Sequence, residues 1–252
     1  MTARLLEGKV ILVVGASTGI GADAARVFAR DGASVVLAAR TEPGLRAVAD
    51  ELTVEGTPVA WVTGDASVAA DAAHFVDTAL ERFGRLDGAF NNAGVTGSGK
   101  LHEVSEEDFD RIMAVNVKGV WLCMREEVRA MRAAGGGSIV NVSSVGGIRG
   151  STGMGAYQAT KHAVIGLTRT AAHDNGPEGI RVNSIAPGPI ETPMLQKTRE
   201  AIPGGVEARI SATPLRKAGS TTEVADAAAW LLSNRASHIS GIVLPVDGGF
   251  SS

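Results

Sequence analysis

Short runs of apolar, mostly β-branched residues alternate along this chain with longer stretches in which apolar residues return every three or four positions. That rhythm limits the fold more than any other feature. The run Val10-Ile11-Leu12-Val13-Val14 is apolar at every position, so a strand made of it has no side to turn to water and needs cover on both faces. Residues 9–14, 34–39, 59–63, 87–90, 137–143, 180–185 and 242–246 read as strands, and residues 19–30, 43–51, 68–83, 105–131, 155–175 and 221–233 as helices, the last capped by Thr221 or Thr222. The order predicts βα units. An α/β chain follows, with a doubly wound sheet of about seven mainly parallel strands and helices on both faces. No repeat or low-complexity linker divides residues 1–252, so one domain is expected. Only the segment 187–214, with five prolines, breaks the rhythm, and a substrate lid is expected over 190–214.

Composition narrows the function. The formal net charge is −3 and no basic block occurs, which argues against nucleic-acid binding. No stretch approaches the roughly 18 apolar residues of a membrane span. The apolar run at 10–14 is too short for a secretory signal and follows Glu7, so a cytoplasmic protein is expected. Cys123 is the one cysteine; an intrachain disulfide is impossible and a cysteine-based zinc site lacks partners. Its neighbours Trp121, Leu122 and Met124 predict a buried, inert thiol. No metal site is expected, and none of the five histidines stands in a motif.

Glycine reaches 32 residues without a regular period. One cluster, Gly15-Ala16-Ser17-Thr18-Gly19-Ile20-Gly21, falls between the first strand and the first helix. Glycines at that junction let the chain turn sharply and let a pyrophosphate approach the backbone, where the helix N-terminus offers free N–H groups. A glycine-rich turn is the plain alternative; the strand–turn–helix setting favours a dinucleotide. An acid at the end of the second strand normally accepts a hydrogen bond from the ribose of NAD. This chain has Ala39-Arg40-Thr41 there. A cation beside a hydroxyl suits a 2′-phosphate, so NADP(H) is expected ahead of NAD(H). Pairing of Arg40 with Glu42 is the competing reading.

Tyr157, the one tyrosine, and Lys161 lie four residues apart in a helical stretch and share a face. Ser143 and Ser144 close the fifth strand, at the end of the sheet where α/β proteins bind ligands. With these residues the chain resembles the short-chain dehydrogenase/reductase family over nearly its whole length. The resemblance rests on Gly15–Gly21, Asp65, Asn91-Asn92-Ala93-Gly94, Asn116, Ser144, Tyr157-Gln158-Ala159-Thr160-Lys161, Asn183 and Pro187-Gly188-Pro189-Ile190-Glu191-Thr192, in that order. Val14 stands where the family usually has Thr, which removes a hydroxyl hydrogen bond worth roughly 1 kcal/mol.

The resemblance implies a Rossmann-type fold and an oxidoreductase moving hydride between a nicotinamide cofactor and a ketone or secondary alcohol. It assigns catalysis to Asn116, Ser144, Tyr157 and Lys161. Ser144 would hydrogen-bond the substrate oxygen, and Tyr157 would exchange the proton. Lys161, with the positive nicotinamide of the oxidised cofactor, would lower the phenol pKa, and Asn116 would help hold a water toward Lys161. Cofactor contacts would come from Gly15, Ser17, Thr18, Gly19, Ile20, Gly21, Arg40, Thr41, Asp65, Ala66, Asn92, Ala93, Gly94, Pro187, Gly188, Ile190 and Thr192, with Tyr157 and Lys161. The substrate wall would include Thr96, residues 149–155, Met194 and Leu195. The partner would be a small molecule. A homotetramer is implied, paired through helices 105–131 and 155–175 and the C-terminal segment. A catalytically silent NAD(P)-binding regulator is the alternative, and the intact quartet argues against it.

Overall fold

The computed structural model describes residues 4–201 and 204–252. Seven strands form one sheet: β1 (Val10–Val14), β2 (Ser34–Ala39), β3 (Val59–Thr63), β4 (Gly88–Asn91), β5 (Gly137–Val142), β6 (Ile180–Pro187) and β7 (Val243–Val246). Nine α-helices accompany them among the described residues: α1 (Gly19–Arg30), α2 (Glu42–Val54), α3 (Ala69–Phe83), α4 (Glu106–Met113), α5 (Gly119–Ala134), α6 (Gly155–Asn175), α7 (Pro193–Ala201), α8 (Gly205–Ser211) and α9 (Thr221–Leu232). All strand pairings are parallel, in the order β3-β2-β1-β4-β5-β6-β7.

All five β1 residues are buried, and they serve two cores in alternation. Ile11 and Val13 pack with Phe28 of α1, Leu45 of α2 and Val224 of α9 on one face. Val10, Leu12 and Val14 pack with Phe75 of α3, Leu122 of α5 and Val164 of α6 on the other. The period of two along a strand and the unbroken apolar run thus have one cause. Phe28 meets Phe90 edge-on across the first core, with ring centroids 5.7 Å apart. At the sheet edge, β3 instead alternates buried and exposed residues.

Sequence order reverses between β1 and β4, so the following loops part there and leave a crevice at the strands' carboxyl ends. Every residue with an expected catalytic or cofactor role lies at that end of the sheet or on a helix that borders it.

Three expectations change. The helix expected over 105–131 is broken by a π-helical turn, Ala114–Lys118, and runs on to Ala134, where Gly135 (φ 85°) ends it. The segment 190–214 is not irregular, because it forms α7 and α8. Arg199 clamps them, its guanidinium 2.8 Å from both Glu191 and Glu207; Ile202 and Pro203 lie outside the described residues. Finally, α9 is capped by Ser220, whose Oγ accepts from the Glu223 N–H while Glu223 accepts from the Ser220 N–H. This reciprocal box satisfies two helix-end donors that Thr221, already inside the helix, cannot reach.

Candidate active site

The glycine loop is shaped by its neighbours. A Cβ on Gly15 (φ +87°) would lie 2.7 Å from the Ala93 nitrogen, and one on Gly21 would collide with the Gly15 carbonyl oxygen. Asn92 Nδ2 donates to that same carbonyl at 3.1 Å. The Thr18 side chain makes no cap hydrogen bond, so the first-turn N–H groups of α1 stay free for an anion. This close-packed glycine turn with its free N–H groups fits the pyrophosphate of a dinucleotide.

Arg40 and Thr41 follow β2, and Asp65 and Ala66 follow β3. The Arg40 side chain is 61% exposed, and its Nη1 lies 3.9 Å from Asp65 Oδ2. Glu42 sits 3.9 Å from Arg46, and no Arg40–Glu42 pair forms. Thr41 is the N-cap of α2, but its hydroxyl makes no cap bond. Burial pushes the Asp65 carboxyl up, but hydrogen bonds from the Ser67 N–H and hydroxyl, with Arg40, outweigh it and hold the pKa below the ordinary value.

The reacting groups gather beyond β5. Ser144 Oγ accepts from the Gly146 N–H at 3.1 Å, which leaves its own proton to donate. Ser143 Oγ donates to the Lys161 carbonyl at 2.9 Å and fixes α6 against the strand end. Lys161 is buried; its Nζ donates to the Val142 carbonyl at 2.9 Å and lies 5.6 Å from the Tyr157 ring centroid. Desolvation lowers the Lys161 pKa to about 8. Desolvation likewise raises the Tyr157 phenol above its ordinary value, and the adjacent Ser144 hydroxyl opposes the rise. Lys161 alone therefore leaves the phenol above its ordinary value. The ammonium donates to a backbone carbonyl beside the ring and makes no hydrogen bond to the phenol oxygen, so it acts on the phenol through space.

Asn116 lies in the π-helical turn and is fully buried. Its Oδ1 accepts from the Val95 N–H at 2.8 Å, and its Nδ2 donates to the Val95 carbonyl (2.9 Å) and to Thr160 Oγ1 (3.1 Å). Thr160 Oγ1 in turn donates to the Tyr157 carbonyl at 2.6 Å. Both amide hydrogens are thus spent, and the side chain ties the 94–96 loop to α6. Gly94 sits where a Cβ would lie 3.3 Å from Asn116 Oδ1 and 3.6 Å from Lys161 Nζ.

Ser144, Tyr157 and Lys161 open on one cleft of about 480 Å³, and the buried Asn116 lies behind its wall. Ile20, Asn92, Gly94, Ser144, Tyr157, Lys161, Pro187, Gly188, Ile190 and Thr192 line it. Gly15, Ser17, Thr18, Gly19, Gly21, Arg40, Thr41, Asp65, Ala66 and Ala93 lie outside its wall, in the loops after β1 to β4. Of the expected substrate wall, Thr96, Arg149, Gly150, Ser151, Met154, Met194 and Leu195 are present, while Thr152, Gly153 and Gly155 are not. Sequence reading missed Val145, Val206 and Phe250. Arg149 holds Phe250 in place, donating to its carbonyl at 2.6 Å with the guanidinium 4.8 Å from the ring. A contact 101 residues apart leaves no local signal. Ser143 and Thr160 were also missed as supports, although each adjoins a motif residue. Among the described residues no cluster of His, Cys, Asp or Glu could hold a metal, and no helix is long and apolar enough to cross a membrane.

Comparison with known proteins adds four observations. A family model described as enoyl-(acyl carrier protein) reductase matches residues 15–251. The chain is 45% identical over 256 residues to the A-factor type gamma-butyrolactone 1'-reductase (1S-forming) of Streptomyces virginiae, covering 100% of this chain and 99% of that protein. Among solved structures, levodione reductase superposes with a TM-score of 0.94 at 36% identity over 98% of both chains. An actinorhodin polyketide ketoreductase variant crystallised with NADPH superposes with a TM-score of 0.92 at 31% identity over 97% of both.

Proposed function

Because the chain belongs to the short-chain dehydrogenase/reductase family, whose members interconvert CH–OH and C=O groups with NAD(P)(H), we propose that it is an NADPH-preferring reductase of apolar ketones acting through Ser144, Tyr157 and Lys161. One observation carries this reading: Ser144, Tyr157 and Lys161 face one cleft that also meets the wall of the glycine cradle at Ile20 and Asn92.

A bound nicotinamide dinucleotide supplies the hydride, or accepts it in the reverse direction. The chain's own residues handle the oxygen and the proton. The Ser144 hydroxyl donates to the substrate carbonyl, and the bond strengthens as that oxygen gains negative charge. A phenol held above its ordinary pKa is protonated near pH 7, which suits Tyr157 to give a proton to the developing alkoxide. Lys161, with a pKa of about 8, is largely an ammonium at that pH and stabilises the phenolate left behind. Asn116 and Thr160 hold the first turns of α6, and so the phenol, against the 94–96 loop.

Arg40, exposed and only loosely paired, offers donors to a 2′-phosphate, and Ala39 supplies no carboxylate to repel one. Met154, Met194, Leu195, Val206 and Phe250 give the cleft an adaptable apolar wall of a size typical for small-ligand sites. An A-factor type gamma-butyrolactone, the compound named for the Streptomyces virginiae reductase, is the first substrate to try. The α7–α8 pair acts as the lid. Phe109 and Trp121 expose apolar surface on α4 and α5, and Leu215 and Ile242 near the C-terminal segment, which supports assembly into a homotetramer. A cytoplasmic location fits a reaction that draws on a reduced nicotinamide pool. A panel of ketones and alcohols assayed with NADPH, NADH and their oxidised forms tests the reading. Turnover fastest with NADPH and an apolar ketone is expected, and no turnover of any carbonyl or alcohol would overturn it.

A further inference from the structure

Beneath the catalytic groups lies a buried polar cluster that hydride transfer does not use. Glu127, on α5, has no exposed surface. Its Oε2 accepts from Asn91 Nδ2 at 3.0 Å, and the other Asn91 amide hydrogen goes to Asn141 Oδ1, also at 3.0 Å. Asn141 Nδ2 continues to Thr168 Oγ1 (3.0 Å) and Met124 Sδ (3.1 Å). Two buried oxygens are left without a hydrogen-bond partner, Glu127 Oε1 and Asn91 Oδ1.

Both orphans are acceptors, so neither can satisfy the other while Glu127 is a carboxylate. An ionised Glu127 would also be a buried charge without a cation, which proteins rarely tolerate. Asn91 from β4, Asn141 from β5 and Thr168 from α6 make up the cluster around it, and none of them titrates. From α3 the groups packed in the same core are apolar, among them Phe75 and Ala79. Cys123, one turn back on α5, is the titratable group that senses Glu127; burial first, and then Glu127, raises its thiol pKa. One proton placed on Oε1 repairs both orphans at once.

We infer that Glu127 is a positioning residue acting as a neutral carboxylic acid, its Oε1–H donating to Asn91 Oδ1 so that acid and amide form a doubly hydrogen-bonded pair under the active site. The pair holds what the reaction needs. Asn91 ends β4 and leads into Asn92 and Gly94, which border the cofactor cradle and Lys161. Asn141 precedes Val142, whose carbonyl anchors Lys161. Thr168 lies two turns beyond Lys161 on α6. Desolvation, partly opposed by the Asn91 hydrogen bond, places the carboxyl pKa at about 8, so the acid is neutral near pH 7.

Glu127→Gln tests this directly, because a glutamine reproduces the neutral acid: one oxygen to accept from Asn91 and one N–H to donate to it. Glu127→Leu removes the pair. Unfolding of the ligand-free protein is to be followed in urea at pH 6 and pH 9. Folding raises the carboxyl pKa from 4.5 to about 8, so its stabilising effect is complete below pH 4.5 and is lost as pH rises through about 8. From pH 6 to pH 9 the wild-type folded-to-unfolded ratio should therefore fall about 100-fold more than that of Glu127→Gln. Glu127→Leu should be less stable than Glu127→Gln at both pH values. In turnover, wild type should lose up to about 10-fold relative to Glu127→Gln between pH 7 and pH 9, following the fraction of neutral acid. An infrared band of a protonated carboxyl, present in wild type and absent from Glu127→Gln, would support the assignment. Glu127→Gln as damaging as Glu127→Leu at pH 6, or wild type and Glu127→Gln with the same pH dependence, would overturn it.

Discussion

Lys161→Met should abolish catalysis without destabilising the protein, because the lysine is held at a folding cost. Lys161 is buried, and its one hydrogen-bond acceptor is the Val142 carbonyl. Desolvation lowers its pKa from 10.5 to about 8. Each pKa unit corresponds to about 1.4 kcal/mol, so the charged lysine weakens the fold by roughly 3 kcal/mol at neutral pH. The folded state binds fewer protons than the unfolded state between pH 8 and 10.5. The penalty is thus complete below pH 8 and fades as pH rises toward 10.5. Methionine has nearly the same length and no charge, but it leaves the Val142 carbonyl unpaired, at a cost of about 1–3 kcal/mol. Ligand-free Lys161→Met should therefore equal or exceed wild type by up to about 2 kcal/mol at pH 7, and fall about 1–3 kcal/mol below it near pH 10.5. Turnover should drop at least ~100-fold. Urea unfolding at the two pH values decides the matter. A variant already much weaker than wild type at pH 7, or a difference that does not change with pH, would refute the reasoning.

Two further outcomes follow from the cleft. Ala39→Asp with Arg40→Val should reverse a 10- to 150-fold preference for NADPH over NADH, the worth of about 1.5–3 kcal/mol from a hydrogen bond to a charged phosphate; titration of both cofactors on both proteins checks it, and equal NADH and NADPH affinity in wild type would remove the role given to Arg40. Amide hydrogen exchange over α7 and α8 should be fast without cofactor and slower with it, because the ion pairs that clamp these helices are exposed and contribute little; strong protection in both states would exclude a lid.

The strands were legible because burial on both faces leaves a run such as 10–14 apolar at every position, and no surface helix carries that pattern. The motif residues were legible because each stands at a strand end or on the helix next to it. What escaped was set by contacts between distant parts of the chain. The π-helical turn at Asn116 coincides with side-chain bonds to Val95 and Thr160, neither of which local propensity records. The helices α7 and α8 are short and lie among prolines, and Arg199 joins them only in three dimensions. Glu127 stands in Arg125-Glu126-Glu127, a sequence that reads as a solvated helix face, yet it is turned into the core while Glu126 pairs with Arg125 and Arg129. The Val142 carbonyl that holds the Lys161 ammonium is a backbone atom with no sequence signature.

The assignment of Tyr157 as proton donor is tested most directly by the turnover of Tyr157→Phe with NADPH and an apolar ketone, measured beside its affinity for NADPH. The substitution removes the phenol oxygen and keeps the ring against Lys161. Turnover at least ~100-fold below wild type, with NADPH still bound, is the predicted result. Near wild-type turnover in that variant would contradict the mechanism.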